Sequence, residues 1–237
     1  MVKRIIATLL VTIAAATTHA VDSGMVVILN DAGTAGFDRM TLHYLSTGGS
    51  LVLETAGVRQ SAAFSPDGRR IAYFRGIVDQ WNRTKNELYA INVDGSDRVF
   101  LVGDIGKTYA GIRWATDGYI YWHGWDKVQR IAADGSGGVE TVHTMVGGVP
   151  TADGTGSVDP SNSSWQISAD GTRTIGTAQR YNADGGKSGW AQLAIDLTTG
   201  TEFSPIAPCQ GGISADGNMI SVSEQGHRVY RFAYWDQ

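Results

Sequence analysis

The 237-residue chain has a single cysteine, Cys209, so no internal disulfide can form and stability must come from a packed core. Positive charge is also scarce. No Lys/Arg cluster is longer than two, and the formal charge of −4 becomes −6 without Lys3 and Arg4. That excludes the electrostatic footprint of a nucleic-acid binder. After the first 20 residues there is no long apolar run, so no stable membrane insertion is expected. Catalytic signatures are missing as well. There is no Gly-x-Ser-x-Gly elbow: in "GGISADG" Asp216 stands where the second glycine belongs. There is no His-Glu-x-x-His, and His43, His123, His143 and His227 are scattered, so neither a metal nor another cofactor is expected. No twelve-residue calcium loop occurs. Cys209 has no cysteine-enzyme motif around it.

Residues 1–20, "MVKRIIATLLVTIAAATTHA", place Lys3 and Arg4 before a short apolar run and end on Thr18-His19-Ala20. This is the shape of a secretory signal peptide, which predicts a periplasmic or extracellular protein comprising residues 21–237.

Glycine is abundant, with 31 of 237 residues, while proline is rare, with 5. Many glycines among alternating apolar and β-branched residues predict short strands joined by tight turns. One turn repeats. Asp-Gly occurs in "FSPDGRRIAY", "RWATDGYIYW", "QISADGTRTI" and "GISADGNMIS". The aspartates are Asp67, Asp117, Asp170 and Asp216, at intervals of 50, 53 and 46 residues. A degraded copy begins at Asp22. Apolar or aromatic residues stand three before each aspartate: Phe64, Trp114, Ile167 and Ile213. A second apolar run follows each. The turn is therefore a hairpin, in which the aspartate satisfies backbone groups and Gly68, Gly118, Gly171 and Gly217 take positive φ. Between these lies a second turn series at Gly48, Gly95, Gly135 and Gly200. One unit is thus four strands, a to d. Five units follow, at about 24–56, 59–103, 109–144, 164–206 and 208–237; the first lacks a clear strand a and the last lacks strand d. Four-stranded sheets repeating at this period predict an all-β propeller with about five antiparallel blades.

"FSPDGRRIAY" followed by "ELYAINVDGSDRVFLV" resembles the TolB-like, WD40-like (PD40) β-propeller repeat, over roughly residues 24–237. The resemblance is specific for the blade, not for a function. It implies a periplasmic interaction protein, a secreted carbohydrate-associated protein, or the gating domain of a serine peptidase. Such propellers usually carry six to eight blades, so five units with incomplete ends imply an open or truncated ring.

In an up-and-down blade the a–b and c–d turns share one side, and the b–c and d–a loops share the other. The first side is short and regular. The second is irregular, where function tends to sit on a rigid scaffold. Its residues Trp81, Tyr109, His123, Trp125, Arg180, Tyr181 and His227 are the candidate binding set. Aromatics would stack, Arg180 would make bidentate contacts and the histidines would donate hydrogen bonds. Trp125 and Trp190 are equally suited to packing between blades. Residues 145–164 form an insertion whose Gly, Ser and Asp content suits a disordered flap. The expected partner is a protein or a polysaccharide. The alternative is the propeller part of a hydrolase or lyase. Exposed outer strands would also permit edge-to-edge self-association. Inner-strand acids of the kind a propeller glycosidase needs are absent: the positions four before each aspartate are Ala63, Arg113, Gln166 and Gly212.

Overall fold

The computed structural model describes residues 24–34, 37–78, 84–105, 111–124, 126–160, 165–205, 211–222 and 228–231. Among them every regular element is a strand. The chain divides into two compact units, one ending at Asp104 and one beginning at Ile105.

In the first unit β1 (Met25–Thr34), β2 (Phe37–Tyr44), β3 (Ser50–Phe64), β4 (Arg70–Val78), β5 (Thr84–Asn92) and β6 (Val99–Ile105) lie side by side in chain order. β3 serves two blades. Ser50–Glu54 pairs with β2, and after Gly57 (φ +93°) the stretch Val58–Phe64 pairs with β4. The bend lets the two halves face each other. Val27, Met40 and Leu42 from one half share a core with Ile71, Tyr73 and Ile91 from the other. Buried Glu54 lies within it, accepting hydrogen bonds from the Tyr73 hydroxyl and from Arg98 Nη1 at 2.9 Å. Burial, with Glu54 as acceptor, holds the Tyr73 hydroxyl far above its ordinary pKa.

The second unit begins with β7 (Arg113–Trp114), β8 (Tyr119–His123), β9 (Lys127–Ala132) and β10 (Glu140–Thr144), a four-stranded meander. Next come β11 (Val149–Pro150), β12 (Gly156–Asp159), β13 (Trp165–Ile167), β14 (Arg173–Asn182), β15 (Lys187–Asp196) and β16 (Thr201–Phe203). β17 (Gly211–Ile213), β18 (Met219–Val222) and β19 (Arg228–Arg231) form the last sheet. Tyr121 and Val128 pack with Trp165, Ala178, Leu193 and Ile195 in one core. Ile175 and Ala194, on the opposite face of the same sheet, pack with Ile220. His143 Nε2 and Glu202 Oε1, 2.6 Å apart, join β10 to β16.

The repeated turn has one hydrogen-bond pattern. At Ser65, Ser168 and Ser214 the hydroxyl donates to the aspartate two residues on, at 2.6, 2.6 and 2.5 Å. The same oxygen accepts the N–H five residues on, from Arg70, Arg173 and Met219. The aspartate Oδ1 accepts the N–H of Arg69, Thr172 or Asn218. Asp117 has Ala115 in the hydroxyl position; its Oδ1 still accepts Tyr119 N–H, and its Oδ2 accepts the Tyr121 hydroxyl at 2.6 Å. Gly68, Gly118, Gly171 and Gly217 have φ between +69° and +87°. Serine donation holds the Asp67 and Asp216 carboxyls below the usual carboxylate range.

Blade packing makes a sharp demand at Gly176 of β14. A methyl group there would run into the ring of buried Trp165. Gly176→Ala should therefore destabilise the protein by about 1–3 kcal/mol through overpacking. Gly124→Ala, whose added carbon would meet nothing closer than 3.7 Å, should be near neutral. Denaturant midpoints of the two variants check the contrast.

Candidate functional site

β14 and β15 have 10 residues each, against 5 and 6 in β8 and β9. Their hairpin closes at Asn182–Gly186, where Asn182 N–H donates to Gly186 O at 2.8 Å and Asp184 Oδ1 accepts Gly186 N–H at 2.9 Å. β13 covers only Thr174–Gly176 of β14. Further along the same edge β12 pairs with Gln179–Asn182. The projecting half of the hairpin thus has its own flanking strand.

That strand comes from the stretch 145–164. Instead of a disordered flap, Val149–Asp159 is an ordered hairpin, with Val149 opposite Val158. Its turn, Thr151–Gly156, copies the repeated turn. Thr151 Oγ1 donates to Asp153 Oδ1 at 2.6 Å and accepts Gly156 N–H, Thr155 N–H donates to Asp153 Oδ1, and Gly154 has φ +68°. At the start of that turn Thr151 forms a parallel bridge with Ser204, the residue that follows β16. The sheet β11-β12-β14-β15-β16 therefore curls back on itself around Val149, Val158, Ala178, Ala191 and Leu193.

Arg180 fixes this arrangement. Its Nη2 donates to Asp153 Oδ2 at 3.0 Å and to Thr155 Oγ1 at 2.5 Å. Through Nη2 the guanidinium staples the added hairpin to β14, while Nε is buried without a partner. His123 is displaced from its expected role, because it is fully buried. Its ring stacks on Trp165 at 4.3 Å, and Nε2 lies 2.8 Å from Thr174 Oγ1. The Thr174 hydroxyl donates to Gln166 O, so His123 must donate through Nε2–H, leaving Nδ1 bare and unpartnered. Burial, with His143 nearby, pushes its pKa down to about 3. Thr174 is six residues from Arg180 along β14, about 20 Å at strand rise, so the two do not converge. Trp81, Tyr109, Trp125 and His227 lie outside the described residues.

Tyr181 is the described member of the expected set that remains half-exposed with its ring uncommitted to a described partner. Alternation puts Ile175, Thr177, Gln179 and Tyr181 on one face of β14. Their partners across the pair, Ala194, Gln192 and Trp190, share that face, and Lys187 faces Tyr181 across a bulge. The inner end of this face is buried with Ile220. The outer end is open: Trp190 is 47 % exposed. Gln179 braces the rim, donating from Nε2 to Gly189 O at 2.6 Å. Between the two ends Gln192 is fully buried, and neither its amide nitrogen nor its amide oxygen has a partner. Sequence reasoning passed over Gln192 because nothing in one residue type reveals that it is orphaned. It passed over Asp153, although "TADG" carries the hydroxyl-x-Asp-Gly signal. Among the described residues no three His, Cys, Asp or Glu side chains group closely enough to hold a metal ion.

No protein-family model and no curated protein matches the sequence. Solved structures do. The tricorn protease is 12 % identical with a TM-score of 0.59, over 90 % of this chain and 24 % of that one. An oligogalacturonate lyase in complex with manganese is 12 % identical with a TM-score of 0.57, over 89 % and 60 %. A chain of a nidogen–laminin complex is 14 % identical with a TM-score of 0.53, over 89 % and 72 %. The chain thus spans 60 % of the lyase's length and about a quarter of the protease's. At such identities the likeness is one of fold: an all-β propeller of antiparallel blades.

Two expectations follow. A side chain at Gly156 would collide with the Tyr181 carbonyl. Gly156→Ala should strip amide-exchange protection from 149–159 and 179–182 while sparing 113–132. The His123 ring titrates lower in the folded chain than its unfolded value of 6.5. Below pH 6.5 the unfolded state takes up a proton that the folded state refuses, so this group lowers stability as pH falls from 6.5 toward 3. Denaturant midpoints between pH 6.5 and 4.5 should fall less in His123→Phe than in the parent.

Proposed function

We propose that the chain is a non-catalytic recognition module, built of TolB-like, WD40-like repeats and exported to the periplasm or beyond, that binds a protein or a polysaccharide. Binding uses the b–c and d–a loop side of the blades. The observation that carries this is the half-exposed indole of Trp190 beside Tyr181, on a hairpin that projects from its blade and is flanked by β12. Aromatic side chains held rigidly at a surface give large contact area at low ordering cost, and such residues dominate binding energy. The exported location rests on residues 1–20, which fit a signal peptide. Pairing of a second copy along an outer strand such as β6 is a further proposal.

A second function is favoured by the fold's company. Among structures of this fold are a lyase and a protease, of which the chain spans only part, so it would equally serve as the propeller part of a hydrolase or lyase.

Electrophoresis through gels carrying plant and bacterial polysaccharides, with crosslinking from a benzoylphenylalanine at position 190 for protein partners, tests the proposal. Retardation or a discrete crosslink is expected, without release of reducing ends from the polysaccharide. The double variant Tyr181→Ala/Trp190→Ala should lose retardation. Retained binding in that variant would place the site elsewhere, and release of reducing ends would favour the catalytic alternative.

A further inference from the structure

β7, β13 and β17 are edge strands of the second unit, each paired on one side only, with β8, β14 and β18. Ser168 N–H donates to Arg173 O, and Ser214 N–H donates to Met219 O. Alternation therefore turns the backbone groups of Ile167 and Ile213 toward the free edges. Two side chains cross to meet them. Arg113 Nε donates to Ile167 O at 2.9 Å, and Gln166 Oε1 accepts Ile213 N–H at 3.3 Å. Arg113 and Gln166 hold equivalent places, four before Asp117 and Asp170, and Gly212 holds the same place before Asp216. The neutral amide of Gln166 makes the same kind of brace as Arg113, so bracing does not call for a cation.

Other arginines of this unit face acids: Arg130 faces Glu140, Arg173 faces Asp196 and Arg180 faces Asp153. Arg113 has no such acid among the described residues. Burial, with no neighbouring charge to oppose it, draws its pKa below the ordinary value. The guanidinium stays charged even so. Its Nη1 and Nη2 have no partner among the described residues and, unlike the Gln192 amide, are not sealed from water. Gln166 is exposed, and with Oε1 taken its Nε2 is a further free donor. Gly212 adds no side chain at the third position.

We propose that these free edges form an anion site whose ligand is a carboxylate, held by Nη1 and Nη2 of Arg113, with Gln166 Nε2 donating to a neighbouring oxygen. The site is independent of the aromatic surface at Trp190. The fork of a guanidinium matches the two oxygens of a carboxylate, and a charged donor makes the stronger hydrogen bond. Ile167 O and Ile213 N–H are already taken, so an extended peptide gains no backbone pairing from them. The carboxylate belongs instead to a free organic acid or to an acidic sugar.

Heteronuclear NMR of the full chain tests this, following the Arg113 Nε–H and the Gln166 side-chain amide during titration with succinate, glucuronate and glucose. At least one acid should shift both signals saturably in the millimolar range, and glucose should shift neither. Tighter binding of glucuronate marks an acidic sugar as the source, tighter binding of succinate marks a free acid, and the site holds in both cases. Followed at the Gln166 amide, Arg113→Gln should weaken the preferred acid about tenfold or more, the loss of a charged hydrogen-bonding partner. Its unfolding midpoint should stay level, because an amide keeps the brace. Arg113→Lys, which keeps the charge and loses the fork, should bind between the two. Several results overturn the proposal: no saturable shift with either acid, an equal shift with glucose, or Arg113→Gln binding as tightly as the parent. Tighter binding of inorganic phosphate, or of a pentapeptide with a free C-terminus, overturns it as well. So does a fall in unfolding midpoint in both variants, which marks the guanidinium as part of the fold.

Discussion

The hydroxyl–aspartate–glycine turn is the constraint from which the rest of the molecule follows. A two-residue slip in a hairpin would keep the faces but move every side chain along the strand, and a one-residue slip would exchange core for solvent. In this chain the register is pinned at the hairpin base, where a hydroxyl at the end of the first limb and the turn carboxylate accept backbone N–H groups of the second limb. With the register fixed, Tyr73, Ile71 and Ile91 must face one way and Ala72, Phe74 and Leu88 the other. Both sets are buried.

That constraint was legible because it is local. Its residues lie within six positions of one another, so spacing alone exposes them, and the alternation on either side gives the strands. The added hairpin β11–β12 shows the limit. Its turn carries the same signal at Thr151, Asp153 and Gly154, but it falls outside the 45–53-residue interval of the others, and its Gly and Ser content resembles that of a loop. Its partner strand is set by long-range geometry: β13 has only 3 residues and leaves the outer half of β14 unpaired, and β12 fills that edge. His123 was misplaced for a related reason. A histidine after a short strand looks like a loop residue until the neighbouring sheet supplies Trp165 and Thr174 to enclose it.

Arg180 shows how a residue type can suit a role and still be occupied by another. Guanidinium groups are apt for bidentate ligand contacts, yet this one is taken up by Asp153 and Thr155, partners more than 20 positions earlier in the chain. The Asp153 carboxyl is held low, first by the Thr151 hydroxyl, then by Thr155, with Arg180 adding its charge. One aspartate therefore closes its own turn and anchors the arginine that joins the turn to β14.

This coupling bears on how the proposed recognition surface would be held. A two-stranded ribbon extending beyond its sheet is marginal in water and would present its tip in many conformations. Ordering such a tip on binding would oppose affinity. In this chain β12 adds a third strand, Arg180 ties that strand's turn down, and the Thr151–Ser204 bridge returns the sheet to β16. The ordering is met during folding, by burying Val149 and Val158 against Ala178 and Ala191. Trp190 can then remain half in water without being loose, on a face whose conformation is set by the fold itself.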